Sequence, residues 1–260
     1  MSLGCAHELH ATGVAGDPDS RIHRLDPRAK LIGFAGITVI AVSTPLHGWP
    51  VWVGCALALA TLGLMSGVGP RTIWARARIV LPLVLFVAVF VPFVRRGGAT
   101  IELGPLTMSE AGLATFVTVS AKAFIGTVSA VLLGATTSFP DLLHALERLR
   151  APRLLVLIAA FMYRYLFVIM DETRRMRAAL AARGYRPRHA LQAAALGRVA
   201  TALFLRTYER GERVHLAMLA RGWRNTMPRL DVLSFQRTDV YFLALLAALL
   251  PLRIAAGLMA

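Results

Sequence analysis

Two short stretches of this chain carry nearly the same residues in the same order, and those residue types suit recognition better than catalysis. Residues 176–186 read Met-Arg-Ala-Ala-Leu-Ala-Ala-Arg-Gly-Tyr-Arg, and residues 214–224 read Val-His-Leu-Ala-Met-Leu-Ala-Arg-Gly-Trp-Arg. Ala182-Arg183-Gly184 thus returns 38 residues later as Ala220-Arg221-Gly222, followed each time by an aromatic residue and then Arg186 or Arg224. Locally, each triplet predicts a helix end. Glycine just past a helix takes the left-handed conformation cheaply, and a cation beside it faces the unpaired carbonyls. One copy would mean little more than that. Two copies with matching flanks add a functional reading. An arginine fixed at a rigid helix end is placed to enter a partner's groove and bond a carboxylate or a backbone carbonyl. Apolar residues four apart, Met176 with Leu180 and Val214 with Met218, give each helix an apolar face near its end.

Other residues invite chemistry and are set aside. Cys5, His7 and His10 have ligand types at close spacing, but they read as a polar tail and no metal site is assigned. His189 and His215 read as surface or interface residues. Lys122 stands inside an apolar run, where it is either functional or bonded to a neighbour within the protein. The chain has no His-Glu-x-x-His, no Gly-x-Ser-x-Gly, no Asp-Asp-x-x-Asp and no acids paired inside an apolar run, so no catalytic residue is assigned. It also has no Gly-x-x-x-x-Gly-Lys-Ser/Thr loop for ATP, and no cofactor is expected on it.

The elements that must hold the two triplets are helices in a membrane protein. Hydrophobic residues make up 57% of the chain and charged residues 17%, against about 25% in an average soluble domain. Mean hydropathy is +0.61. Basic residues outnumber acidic ones 29 to 14, for a formal charge of +15. In so apolar a chain this charge points to positive-inside loops and a face for an acidic partner or anionic lipid, not to nucleic acid. Two cysteines, one in the tail and one in an apolar run, predict no disulfide. The stretch from Met1 to Ser20 lacks the charged start and apolar core of a cleavable signal.

Five spans are predicted. The first counts from Pro27 to Thr44, with proline tolerated as the first helical residue. The second covers Val51 to Val68 after a tight turn, the third Ile79 to Val94, and the fourth Leu113 to Thr136. The fifth begins at Val240 and is expected to kink at Pro251. A short hairpin is expected in the loop between Arg95 and Gly112. The region from Ser138 to Arg237 holds 18 arginines against 7 acids. With the segments before spans one and three, it puts the basic residues on one side, which orients the N-terminus inside and the C-terminus outside.

That basic region is rich in Ala, Leu and Arg and predicts helices over 140–149, 153–183 and 188–220. Leu154 to Met170 is apolar enough to suggest a sixth span, but Arg164 sits in it. A further span would also put the 183 and 221 regions outside. Long amphipathic helices at the cytoplasmic membrane face are therefore expected. The result is an all-α integral membrane protein with a polar tail over 1–24, four spans over 25–137, cytoplasmic helices over 138–237 and a last span over 238–260.

The paired Ala-Arg-Gly triplets resemble the signature of the transmembrane coupling subunit of energy-coupling factor transporters, the EcfT/CbiQ family. Leu25-Asp26-Pro27-Arg28-Ala29-Lys30 resembles that family's opening motif, with Asp26, Pro27 and Arg28 at its centre. Thr136-Thr137-Ser138, Pro140-Asp141-Leu142-Leu143, Ala145-Leu146, Pro152, Tyr163-Arg164-Tyr165 and Asp171-Glu172 also fit. The resemblance covers about residues 21–230. The start Ile22-His23-Arg24-Leu25-Asp26-Pro27 is most like the cobalt member, CbiQ, or its nickel counterpart. It implies a non-catalytic subunit of an ATP-driven importer in the cell inner membrane. Two ATP-binding-cassette ATPases (CbiO-like) would hold the ATP and dock at Arg183 and Arg221. A membrane substrate-binding subunit (CbiM-like), with or without a small CbiN-like subunit, would be the other partner.

Overall fold

The computed structural model describes residues 20, 22–45, 48–78, 82, 86, 100–103, 106–185, 193–223 and 236–258. They form two compact units, Met1–Leu149 with Leu233–Ala260, and Arg150–Val232.

The first unit opens with α1 (Pro27–Ser43). It starts at the residue the sequence indicates, because Pro27 needs no N–H partner at N1 and Asp26 caps the turn by accepting from the Arg28 N–H at 2.9 Å. Helix α2 (Trp49–Met65) follows a short turn. Residues 70–78 are helical. Of the third expected span, only Pro82 and Phe86 fall among the described residues. A two-stranded antiparallel hairpin, β1 (Thr100–Leu103) and β2 (Leu106–Ser109), pairs Ile101 with Met108 where a hairpin was expected. It leads into α3 (Glu110–Thr136), and then into α4 (Phe139–Arg148), capped by Ser138. The core gathers Phe34, Ile37 and Ala41 of α1 with Val51, Cys55 and Leu59 of α2 and Ile125 and Leu132 of α3.

The last apolar run closes this unit as α7 (Arg237–Ala247) and α8 (Leu249–Leu258). The break falls at Ala248, one turn before the proline. Pro251 has no N–H for the Ala247 carbonyl and its ring crowds the preceding turn, so the kink lies N-terminal to the residue that causes it. Phe242 and Leu246 pack on α1, where Gly33 leaves them room: a Cβ at Gly33 would stand 2.6 Å from Phe242 Cε1 and 2.7 Å from Leu246 Cδ1.

The second unit holds α5 (Arg153–Ala182) and α6 (Ala193–Ala220), close to the ranges expected. Residues 186–192, which include His189, lie outside the described residues, as do Cys5, His7 and His10. Among the described residues three helical stretches suffice, by length and composition, to cross a membrane, Gly112–Thr136, Arg153–Ala182 and Arg237–Ala255, and Trp49–Met65 is a shorter apolar helix. Apart from one hairpin, the described residues are those of an all-α membrane protein.

Candidate functional site

Both Ala-Arg-Gly triplets end a helix, and they end it in the same way. At the close of α5, Gly184 has φ +72°, the Gly184 N–H donates to the Ala181 carbonyl at 3.0 Å, and the Tyr185 N–H donates to the Leu180 carbonyl at 3.1 Å. At the close of α6, Gly222 has φ +75°, the Gly222 N–H donates to the Leu219 carbonyl at 2.9 Å, and the Trp223 N–H donates to the Met218 carbonyl at 3.1 Å. These pairs of bonds make two complete Schellman motifs, which satisfy carbonyls the helix cannot. The aromatic residue after each glycine sits where the motif favours an apolar contact with the residue five before it, Leu180 or Met218. The Trp223 ring also meets His215 edge-on, with centroids 6.2 Å apart.

The arginines are presented, not used, by these turns. Ala182, Arg183, Gly184, Ala220, Arg221 and Gly222 are all exposed. Among the described residues neither Arg183 nor Arg221 has an ion-pair partner. Each guanidinium is therefore held at a fixed helix end with its five donors available to an acceptor outside the chain.

The opening motif is a different kind of site. It belongs to the first unit, and most of it is buried. Asp26 is 5% exposed, Lys30 2% and Asp239 1%. The Asp26 side chain starts α1, while its own N–H donates to Asp239 Oδ1 at 2.8 Å. Asp239 Oδ2 accepts from the Gln236 N–H at 2.7 Å, completing a capping box at the start of α7. Lys30 Nζ reaches the other way. It donates to the His23 carbonyl at 2.9 Å and to the Thr136 carbonyl, in the last turn of α3, at 3.0 Å. A buried ammonium is tolerated because it is hydrogen-bonded and faces carboxylates. One six-residue stretch thus joins the start of α1, the end of α3 and the start of α7.

The far end of α1 is a second collecting point for cations. Helix α1 has no basic residue in its last turn. Lys122 of α3 donates to the Val42 carbonyl at 2.8 Å, and Arg253 of α8 donates to the Ser43 carbonyl at 3.2 Å. Both charges sit where the helix dipole and unpaired carbonyls favour them. Of the two readings open for Lys122, the bond to a neighbour is the one this contact supports. His215 is exposed, as a surface residue would be.

Three features go beyond the sequence expectations: the burial of Lys30, the cap made by Asp239, and the pairing of Glu172 with Arg206 across α5 and α6. Gln236-x-x-Asp239 before an apolar run was a legible capping signal. The other two depend on residues 106 and 34 positions apart meeting in space, which no local pattern encodes.

An apolar helical fold with two exposed, cationic helix ends is that of a membrane protein. Residues 18–230 match the family model CbiQ, described as cobalt transport protein. The chain is 30% identical over 237 residues to the energy-coupling factor transporter transmembrane protein EcfT of Brevibacillus brevis, covering 85% of this chain and 88% of that one. It is 31% identical over 202 residues to the cobalt transport protein CbiQ of Rhodobacter capsulatus, covering 76% and 78%. It is also 29% identical over 249 residues to a putative ABC transporter ATP-binding protein of Bifidobacterium longum, covering 90% of this chain and 32% of that one. The chain thus spans about a third of that longer relative. The chain belongs to the CbiQ family, the transmembrane component of energy-coupling factor transporters.

Proposed function

We propose that this chain is the coupling subunit of an ATP-driven importer of the energy-coupling factor type. Two cytoplasmic ATP-binding-cassette ATPases dock at Arg183 and Arg221, and α5 and α6 carry their motion to a separate membrane subunit that binds substrate. The observation that carries this reading is the pair of identical helix ends, each with an exposed, unpaired arginine. Two equal binding heads suit two equal ATPases. The excess of arginine between Ser138 and Arg237 suits an acidic docking surface, and supports a cytoplasmic position for this region and the N-terminus in the cell inner membrane.

The names of relatives support the identities proposed for the partners. One has the name of an ABC transporter ATP-binding protein, and one, in Methanocorpusculum labreanum, is a putative fused cobalt transport protein CbiMQ. These support CbiO-like ATPases and a CbiM-like substrate subunit, with cobalt ion as the substrate. The same coupling role for nickel or a vitamin is the second reading, since a coupling subunit does not itself choose the substrate. The test is Arg183→Glu with Arg221→Glu in the co-expressed complex. ATPase co-purification and radiolabelled cobalt uptake should both fall to background. Assembly and uptake at wild-type levels would overturn the coupling role. Intact coupling with uptake of a vitamin in place of metal would overturn the substrate alone.

A further inference from the structure

Two grooves separate α5 from α6. One, of about 570 Å³, lies between Ile158 and Tyr165 of α5 and Arg210 and Arg213 of α6. The other, of about 470 Å³, lies between Met176 and Leu180 of α5 and Arg198 and Ala202 of α6. Arg206 lines both. A gap on each side of one contact means that two helices cross there and diverge both ways. Late residues of α5 face early residues of α6, so the arms run in opposite directions from the crossing.

The contact at the crossing is ionic. Arg206 Nη1 of α6 donates to Glu172 Oε1 of α5. Arg175, on the same face of α5, donates from Nε at 3.1 Å and Nη2 at 2.7 Å to Glu172 Oε2. Both carboxylate oxygens are engaged, and the Glu172 side chain is 19% exposed while those of Arg175 and Arg206 are 65% and 64% exposed. One carboxylate is enclosed by two solvent-facing guanidiniums, one from each helix.

Beyond this point the arms have no core among the described residues. From Thr173 to Arg183 and from Thr207 to Arg221 no residue is buried. At 1.5 Å per residue, Arg183 lies about 16 Å past Glu172, and Arg221 lies about 22 Å past Arg206. A tilt of about 5° at the crossing therefore moves the longer arm's end by about 2 Å.

We propose that the Glu172–Arg206 pair is the pivot of the coupling device, setting the crossing angle through which force applied at one Arg-Gly end reaches the other. This rests on the reading of α5 and α6 as ATPase-docking arms. Glu172 and Arg206 are positioning residues. An exposed ion pair adds little to folding stability, and helix ends capped by their own backbone do not depend on it. Its loss should loosen the angle and leave the arms intact.

The test uses spin labels at Ala178→Cys and Ala217→Cys, with Cys5→Ser and Cys55→Ala, in the assembled complex. The parent should give one narrow distance. Glu172→Gln should broaden it and cut uptake about two- to thirtyfold with ATPases still bound. Arg206→Gln should do the same, and the double variant should be no worse than either single, because both singles remove one interaction. Unchanged distances and uptake in both singles would overturn the pivot. So would additive losses, or loss of ATPase binding in step with uptake, which would place Glu172 in assembly. Failure of the underlying reading looks different: the parent complex itself would then hold no ATPase.

Discussion

Replacing Lys30 with methionine removes one ammonium and almost no volume. In the native chain that group donates to the His23 and Thr136 carbonyls at 2.9 and 3.0 Å, and Asp141, Asp239 and Asp26 lie in its field. The site is 2% exposed, so water cannot replace the lost donors. A buried acceptor left unsatisfied costs about 1–3 kcal/mol, and two are left here, so the loss should be about 3 kcal/mol. For a chain of this size that corresponds to a fall of about 10 °C in melting temperature. Lys122→Met is the internal comparison. It also removes an ammonium bonded to a carbonyl, at 2.8 Å, but only one bond is lost and the site is partly exposed. Its cost should be about 1 kcal/mol or less. The assay is thermal unfolding of detergent-purified protein in a Cys5→Ser background, followed by the fluorescence of a thiol dye at buried Cys55. Equal, small shifts for both variants would refute the idea that Lys30 ties α1 to the end of α3.

Gly33→Leu should lower stability by about 2 kcal/mol net, since the side chain must displace Phe242 and Leu246 by more than the helix gains from losing glycine; the same unfolding assay reads it, and limited proteolysis should release the C-terminal segment first. Gly184→Ala and Gly222→Ala should each strain their helix end by about 1–2 kcal/mol, because φ there is positive. Those ends are exposed, so melting of the whole protein should hardly move while ATPase co-purification falls; preserved binding would show that the left-handed turns do not position the arginines.

The helices were legible in the sequence wherever their signals were local. Pro27 after Asp26 marked the start of α1, and Gly184 and Gly222 marked the ends of α5 and α6, because caps and left-handed turns are decided by neighbours in the chain. The repeat was legible for the same reason. What binds these elements together was not. Lys30 looked like one more basic residue at the start of a span, yet it is among the most buried side chains of the described residues. Asp26-Pro27-Arg28 was visible as a motif but not as a junction, since its partner Asp239 lies 213 residues away. Composition was equally silent on α5, whose apolar length fits a span and whose exposed Arg164 fits a surface helix.

Photo-cross-linking at the two helix ends tests the central claim most directly. A benzophenone side chain is placed at Ala182 or Ala220, with Ala178 on the exposed flank of α5 as the comparison, in membranes that also hold the proposed ATPases. Two docking ends predict an adduct with an ATPase subunit from 182 and from 220, each abolished by Glu at the adjoining arginine, and none from 178. Equal adducts from all three positions, or none from either helix end, would contradict docking at Arg183 and Arg221.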